Sequence, residues 1–392
     1  MRKNMLIYRQ IVAAIEAMIP KYPIIALTGP RQSGKTTLLK SLFKGYRYVS
    51  LENPDYRNFA ETDPNGFLSE YDHQVIFDEV QRVPSLFSYL QSKVDEKSPE
   101  TGIYVLSGSQ NFHLMERITQ SLAGRVAIFK LFPLDIQELQ QAGLLADDYL
   151  SQMVRGFYPA IYDKDIPSKT FYSNYIQTYI NRDVSELIAV RDMRLFQNFL
   201  ALCAGRAGQL LNLNALANEC GISQPTAKAW LSALEYSYIT FQLYPYHKNF
   251  NKRIIKTPKL YFYDSGLLAH LLKIQHAEQL TTDPLKGAIF ENMVIADYVK
   301  QMHHRSDLSD IWFWRDSSGN EVDLIVDQGL EKTIVEIKAT QTILSNLLEG
   351  LVKYEAISDE KITQKILVYG GDQVQSRTMA DVVPWSKFGV GQ

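Results

Sequence analysis

Cysteine is almost missing from this chain: 392 residues hold two, Cys203 and Cys220. Two thiols give no disulfide framework and cannot build a cysteine zinc site, which fits a reducing compartment. Long apolar runs are missing too. The opening MRKNMLIYRQIVAAIEAMIPKYP begins basic and apolar, but Arg9, Gln10 and Glu16 interrupt it at helical spacing. That stretch predicts an amphipathic helix and not a signal peptide, and nothing later approaches a membrane span. Net charge is close to zero, with 41 Lys and Arg against 43 Asp and Glu. A polyanionic partner would therefore have to be met by a local patch. Low-complexity tracts are absent as well. Together these absences predict a cytoplasmic protein with no membrane partner.

What is present is the composition of a folded chain, 46% hydrophobic and 21% charged. The length exceeds what one ordinary core organises. Three domains are expected, at residues 1–148, 149–278 and 279–392.

The first is organised around Gly29-Pro30-Arg31-Gln32-Ser33-Gly34-Lys35-Thr36-Thr37. An apolar run, Pro23 to Thr28, precedes it and a helical pattern from Lys35 to Phe43 follows. Strand, glycine-bounded loop and helix with G-x-x-x-x-G-K-T spacing predict a phosphate loop. Glycine at both ends lets successive N–H groups turn inward around an anion, and the helix adds its positive end. Lys35 would reach the β- and γ-phosphates of ATP, and the Thr36 hydroxyl would ligate Mg²⁺. The strand His73 to Glu79 ends in two carboxylates. Asp78 is placed to hold the metal, and Glu79 to orient or deprotonate the attacking water. A further strand, Gly102 to Ser109, offers Ser109 to the γ-phosphate or the water. Arg125, just past Gly124, is a candidate arginine finger acting in cis or on a neighbouring subunit, with a surface salt bridge as the alternative.

GPRQSGKTTL, VIFDEVQRVP, LSGSQ and SLAGR, in that order, resemble a large prokaryotic family of AAA-type phosphate-loop ATPases. The resemblance covers essentially the whole chain. It implies a parallel α/β sheet with one strand inserted between the loop strand and the Asp-Glu strand, and a C-terminal domain of unknown function.

In the middle, the period of Phe171 to Leu187 predicts a helix with an aromatic face, read as core. The family typically carries an Arg-Asp pair here, as at Arg182-Asp183. Leu211 to Glu235 predicts two helices across a turn at Gly221, the second capped by Ser223 with Pro225 in its first turn. Strands Tyr238 to Tyr244 and Lys259 to Tyr263 follow, enclosing His247, Lys248, Lys252, Arg253, Lys256 and Lys259 with no acid from His247 to Phe262. That is the pattern of a winged helix with a basic wing. Lys228, Lys248, Lys252, Arg253 and Lys256 are the candidate DNA contacts. Winged helices also serve as lids and protein-interaction modules, so a protein partner or homo-oligomer is the competing expectation.

The last segment reads helix (Gly287 to Tyr298), strand (from Trp312), strand (Glu321 to Asp327), strand (Thr333 to Lys338), helix (Ile343 to Ala356) and strand (Lys365 to Tyr369). With Asp323 followed by Glu336-Ile-Lys338, this order resembles the PD-(D/E)xK restriction-endonuclease-like fold. A turn at Gly329-Leu330 would set Asp323 opposite Glu336 and Ile325 opposite Ile334, with Val322, Leu324, Val326, Val335 and Ile337 on the other face. Two opposed carboxylates repel unless a cation lies between them. A second Mg²⁺ or Mn²⁺, held by Asp323, Glu336 and Glu291, would supply it, with Lys338 catalytic; alternatively Lys338 alone neutralises the pair.

The expected fold is thus α/β: a P-loop NTPase, then an all-α and winged-helix domain, then an α/β endonuclease-like domain. The expected function is Mg²⁺-dependent ATP binding and hydrolysis controlling a DNA-engaging half with a candidate nuclease site. Its alternative is an ATP-gated DNA-binding regulator with an inactive nuclease-like domain. A small-molecule kinase is a third reading, weakened because the sequence shows no acceptor pocket or mobile lid.

Overall fold

The computed structural model describes residues 7–109, 121–180, 192–246, 257–307, 309–358 and 360–389, without the side chains of 345 and 346. Several expectations fall on other residues. These are the helix after Phe112, the Arg182-Asp183 pair, and the basic stretch with Lys248, Lys252, Arg253 and Lys256.

Strands β1 (Ile24–Thr28), β2 (Arg47–Ser50), β3 (Val75–Asp78), β4 (Tyr104–Gly108) and β5 (Val126–Lys130) form a parallel sheet in the order β2-β3-β4-β1-β5. Strand β4 is the inserted one, between the loop strand and the Asp-Glu strand. Strands β1, β3 and β4 are buried along their whole length, as a parallel sheet covered on both faces requires. Alternating residues feed two cores. Ile24, Ala26, Phe77 and Leu106 face one, while Ile25, Leu27, Ile76 and Val105 face the other with Ile11 and Ile15 of the opening helix.

The middle segment is helical, with Met193–Ala204, Leu213–Cys220 and Gln224–Tyr236 as its principal later helices. The turn between the last two has Gly221 in a left-handed conformation, and Ser223 caps the following helix through the Thr226 N–H. Strands β6 (Thr240–Leu243) and β7 (Lys259–Phe262) then pair antiparallel.

A 20-residue helix, Lys286–Arg305, leads into the last sheet. Strands β8 (Asp310–Arg315), β9 (Glu321–Asp327), β10 (Lys332–Lys338), β11 (Ile362–Tyr369), β12 (Gln375–Ser376) and β13 (Asp381–Pro384) lie in the order β12-β13-β11-β10-β9-β8. Strands β9 and β10 pair with Ile325 opposite Ile334, the expected register. One face differs. Between the Trp312–Ile325 and Trp314–Val322 pairs, Asp323 and Leu324 of β9 oppose the single Phe313 of β8. This bulge turns Val322 onto the face of Ile325 and Ile334, away from Leu324 and Val326. The expected helix from Ile343 begins as a short 3-10 turn, Ser345–Leu348, and becomes α-helical at Glu349–Ile357. Strands β12 and β13 had no counterpart in the sequence reading.

The middle helices and one face of this last sheet share a single core, which holds Phe171, Trp230, Leu260, Phe290, Leu324 and Val335 together. No helix among the described residues is long and apolar enough to cross a membrane.

Candidate functional site

The phosphate loop leaves β1 at the carboxyl end of the parallel sheet, where such folds bind ligands. Gly29 sits at φ +147°, and a Cβ there would lie 2.1 Å from the Leu131 carbonyl oxygen, so no other residue fits without moving the backbone. Gly34, at φ +97°, starts the Lys35–Leu42 helix in a left-handed conformation. The Lys35 ammonium folds onto its own loop, donating to the Gly29 and Pro30 carbonyls at 2.9 and 2.8 Å. Arg9 stiffens the loop from beneath: its guanidinium donates to the Ser33 carbonyl at 2.8 Å.

Asp78 ends β3 beside this loop. Its Oδ2 accepts from the Thr36 hydroxyl at 3.1 Å and from the Tyr48 hydroxyl, and its Oδ1 accepts from Ser107. Burial, and then the hydrogen bond to Asp78, push the Tyr48 phenol above its ordinary range, so it stays a donor. A hydroxyl and a carboxylate side by side form a donor set suited to Mg²⁺. Glu79 follows at φ +54°, a strained conformation that turns it out of the strand. Its Oε2 accepts from Ser109 at 3.2 Å and from Gln81.

Arg31, Gln32, Thr37, Asp78, Glu79 and Ser109 line one wall of a cleft of about 610 Å³. Pro159, Ile166, Phe171, Tyr175 and Tyr179, from the middle segment, line the facing wall. The Arg31 guanidinium lies 5.8 Å from the Tyr179 ring centroid. Sequence reasoning missed this second wall and assigned its aromatics wholly to the core. It also missed Tyr48, Ser107 and Arg9.

Arg125 is not at this site. It stands before β5 at the opposite end of the sheet, where its carbonyl accepts from the Ile24 N–H. Its guanidinium pairs with Asp95 at 2.6 and 2.8 Å. Within one chain it is a surface salt bridge, at the other end of the strands from the phosphate loop, and so not placed as a finger in cis.

The C-terminal acids also converge, though not as expected. Glu291, Glu321 and Asp323 bring oxygens within 4.8 Å of one another. Glu336 is instead bound by Lys338, whose ammonium also lies 3.6 Å from Asp323. Burial, and then Asp323, push the Glu336 carboxyl up to about 8. The Asp323 carboxylate accepts from the Ile337 N–H at 2.8 Å. Lys259 enters from β7: its Nζ is 2.9 Å from Glu291 and salt-bridges Glu321. Counted beforehand with the basic wing, Lys259 is 2% exposed and faces acids. Glu321 was detectable, since alternation along β9 relates it to Asp323; Lys259 was not. Lys228 is exposed on the Gln224–Tyr236 helix.

A phosphate loop on a five-stranded parallel sheet, with its helix, inserted strand and Asp-Glu pair, defines an AAA-type P-loop ATPase domain. Residues 21–140 match the family model described as an AAA domain. Residues 146–278 and 286–388 match two domains of unknown function, DUF8612 and DUF4143. The chain is 31% identical over 376 residues to Uncharacterized protein Mb2031c of Mycobacterium bovis and to Uncharacterized protein Rv2008c of Mycobacterium tuberculosis. Each alignment covers 94% of this chain and 81% of the relative. It belongs to the family of these mycobacterial proteins. Among solved structures, it is similar to the Walker-type ATPase PABY2304 of Pyrococcus abyssi, at 13% identity and a TM-score of 0.43, over 69% of this chain and 97% of that one. It is also similar to the Orc1 protein of Aeropyrum pernix in complex with DNA, at 13% identity and a TM-score of 0.29, over 71% of this chain and 95% of that one.

Proposed function

We propose that the cleft binds and hydrolyses ATP, and that its nucleotide state governs the C-terminal half. The observation that carries the first part is the convergence of Lys35, Thr36, Asp78 and Glu79 on one cleft beside the phosphate loop. Gly29 to Thr37 cradle the phosphates through backbone N–H groups, and Lys35 exchanges its own loop's carbonyls for phosphate oxygens. Thr36 and Asp78 hold Mg²⁺, which when bound neutralises charge on the phosphates. Glu79, oriented by Ser109 and Gln81, accepts the proton of the attacking water.

In this reading residues 1–148 are the motor, and residues 149–278 and 279–392 are its dependants. The nucleotide-facing wall supports the dependence, because Tyr175 and Tyr179 belong to the middle segment. DNA is the proposed partner. Supporting it are the two helices across Gly221, exposed Lys228, and the acid-free run containing Lys248, Lys252, Arg253 and Lys256. Between a cutting and a non-cutting C-terminal half, the observation that favours the second is the pair of ammonium contacts within the acids, from buried Lys259 and partly exposed Lys338. The chain is then an ATP-gated binder.

The test is Mg²⁺-dependent ATP hydrolysis with and without duplex DNA. Turnover is expected to rise with DNA, and the rise to vanish in the Lys248/Lys252/Arg253 triple alanine variant. Turnover indifferent to DNA would leave the ATPase standing and remove DNA as the partner.

A further inference from the structure

We propose that Lys259 is the resident cation of the C-terminal carboxylate cluster, seated where a divalent metal would otherwise bind and keeping that metal out. This rests on reading Glu291, Glu321 and Asp323 as a cation site, and adds how that site is regulated.

Three carboxylates with oxygens within 4.8 Å demand positive charge. Lys259 supplies it from outside the last sheet. Strand β7 carries it in so that Nζ reaches Glu291 at 2.9 Å and Glu321 directly, while Tyr261, two residues on, donates to the same Glu291 oxygen at 2.6 Å. Burying an ammonium is costly, and only the acids around it repay that cost.

A second observation points to a cation with more coordination than one ammonium provides. Glu336 is 7% exposed, and its Oε2 is buried without a hydrogen-bond partner, Lys338 serving only the other oxygen. An ammonium offers three donors in fixed directions. A divalent metal with six or more oxygen ligands would engage acids that Lys259 leaves unserved.

The occupant arrives from a different part of the chain than the acids. Lys259 follows the basic run from His247 to Lys256, and strand β7 is bonded to β6 on one edge and to residues 208 and 209 on the other, with Lys259 bridged to Leu210, so the middle segment fixes where the ammonium sits.

The experiment measures Mn²⁺ binding by electron paramagnetic resonance to the full chain without nucleotide. It compares wild type, Lys259→Met, and Lys259→Met/Asp323→Asn, the last removing the cluster while leaving the phosphate loop intact. The proposal expects Lys259→Met to bind Mn²⁺ at least tenfold more tightly than wild type, with the gain lost in the double variant. Equal affinity in wild type and Lys259→Met, still lost on Asp323→Asn, would keep the cation site and overturn occupancy by Lys259. No cluster-dependent Mn²⁺ in any variant would overturn both. Removing the ammonium also leaves buried acids uncompensated, so thermal unfolding is read in parallel. Lys259→Met should melt lower than wild type and be raised by Mn²⁺ by more than wild type is. A loss of stability that Mn²⁺ does not restore counts against the proposal.

Discussion

At the scale of single residues, the chain repeatedly places a charge where burial opposes it and answers it with opposite charge, as Glu291 and Glu321 answer Lys259 and Glu138 answers Arg9. His303 is an exception. Its ring lies 5.2 Å from that of Phe132, and no acid among the described residues answers it. Burial, with the Lys130 ammonium nearby, holds the imidazole down at about 3, against an ordinary 6.5. Between those values the unfolded chain takes a proton that the folded chain refuses. Stability should therefore rise with pH across that window and level off above 6.5, by up to about 1.4 kcal/mol per unit from this group. Melting curves of wild type and His303→Gln from pH 5 to 7.5 check it. The wild-type curve should be the steeper, and parallel curves would mean that His303 is protonated in the fold.

At the scale of elements, the helix Lys286–Arg305 joins the two ends of the molecule. Near its start Glu291 meets Lys259, and at its other end Asp297, Lys300 and His304 bond residues 132–136 of the ATPase domain. Asp135 and Glu138 form a capping box there, and Glu138 receives Arg9, whose guanidinium also holds the Ser33 carbonyl of the phosphate loop. Asp135, Glu138 and His304 could be mistaken for a metal site, but Arg9 and their mutual hydrogen bonds already serve them. Arg9→Ala should cost about 3–5 kcal/mol, the penalty of stranding a buried partner. It should also weaken ATP binding, because the loop loses its support. Urea denaturation and nucleotide titration measure the two effects; an Arg9→Ala chain unchanged in both would break this link.

The same scale explains what was legible in the sequence. Strand, loop and helix around Lys35 are adjacent in the chain, so spacing alone revealed them. The β9–β10 register followed from one turn at Gly329. Arg9 and Glu138 are 129 residues apart, and no local pattern joins them. The bulge that turns Val322 breaks alternation, the rule on which the expectation stood. Lys259 looked like one more cation in a basic run, and only the fold shows it facing acids.

At the scale of the whole molecule, the middle segment has two allegiances. It shares its core with the last sheet, while Tyr175 and Tyr179 wall the nucleotide cleft and the Tyr238 hydroxyl lies 2.8 Å from that of Thr28 at the end of the loop strand. The proposed chemistry at Glu79 would therefore be mechanically close to everything downstream. The central claim is that this chemistry is hydrolysis, with Glu79 as the base, and the most direct measurement is ATP turnover beside ATP binding in wild type and Glu79→Gln. Hydrolysis slowed by about a hundredfold or more with ATP affinity kept is the predicted result. Undiminished turnover in Glu79→Gln, or a wild-type chain that binds no ATP, would contradict it.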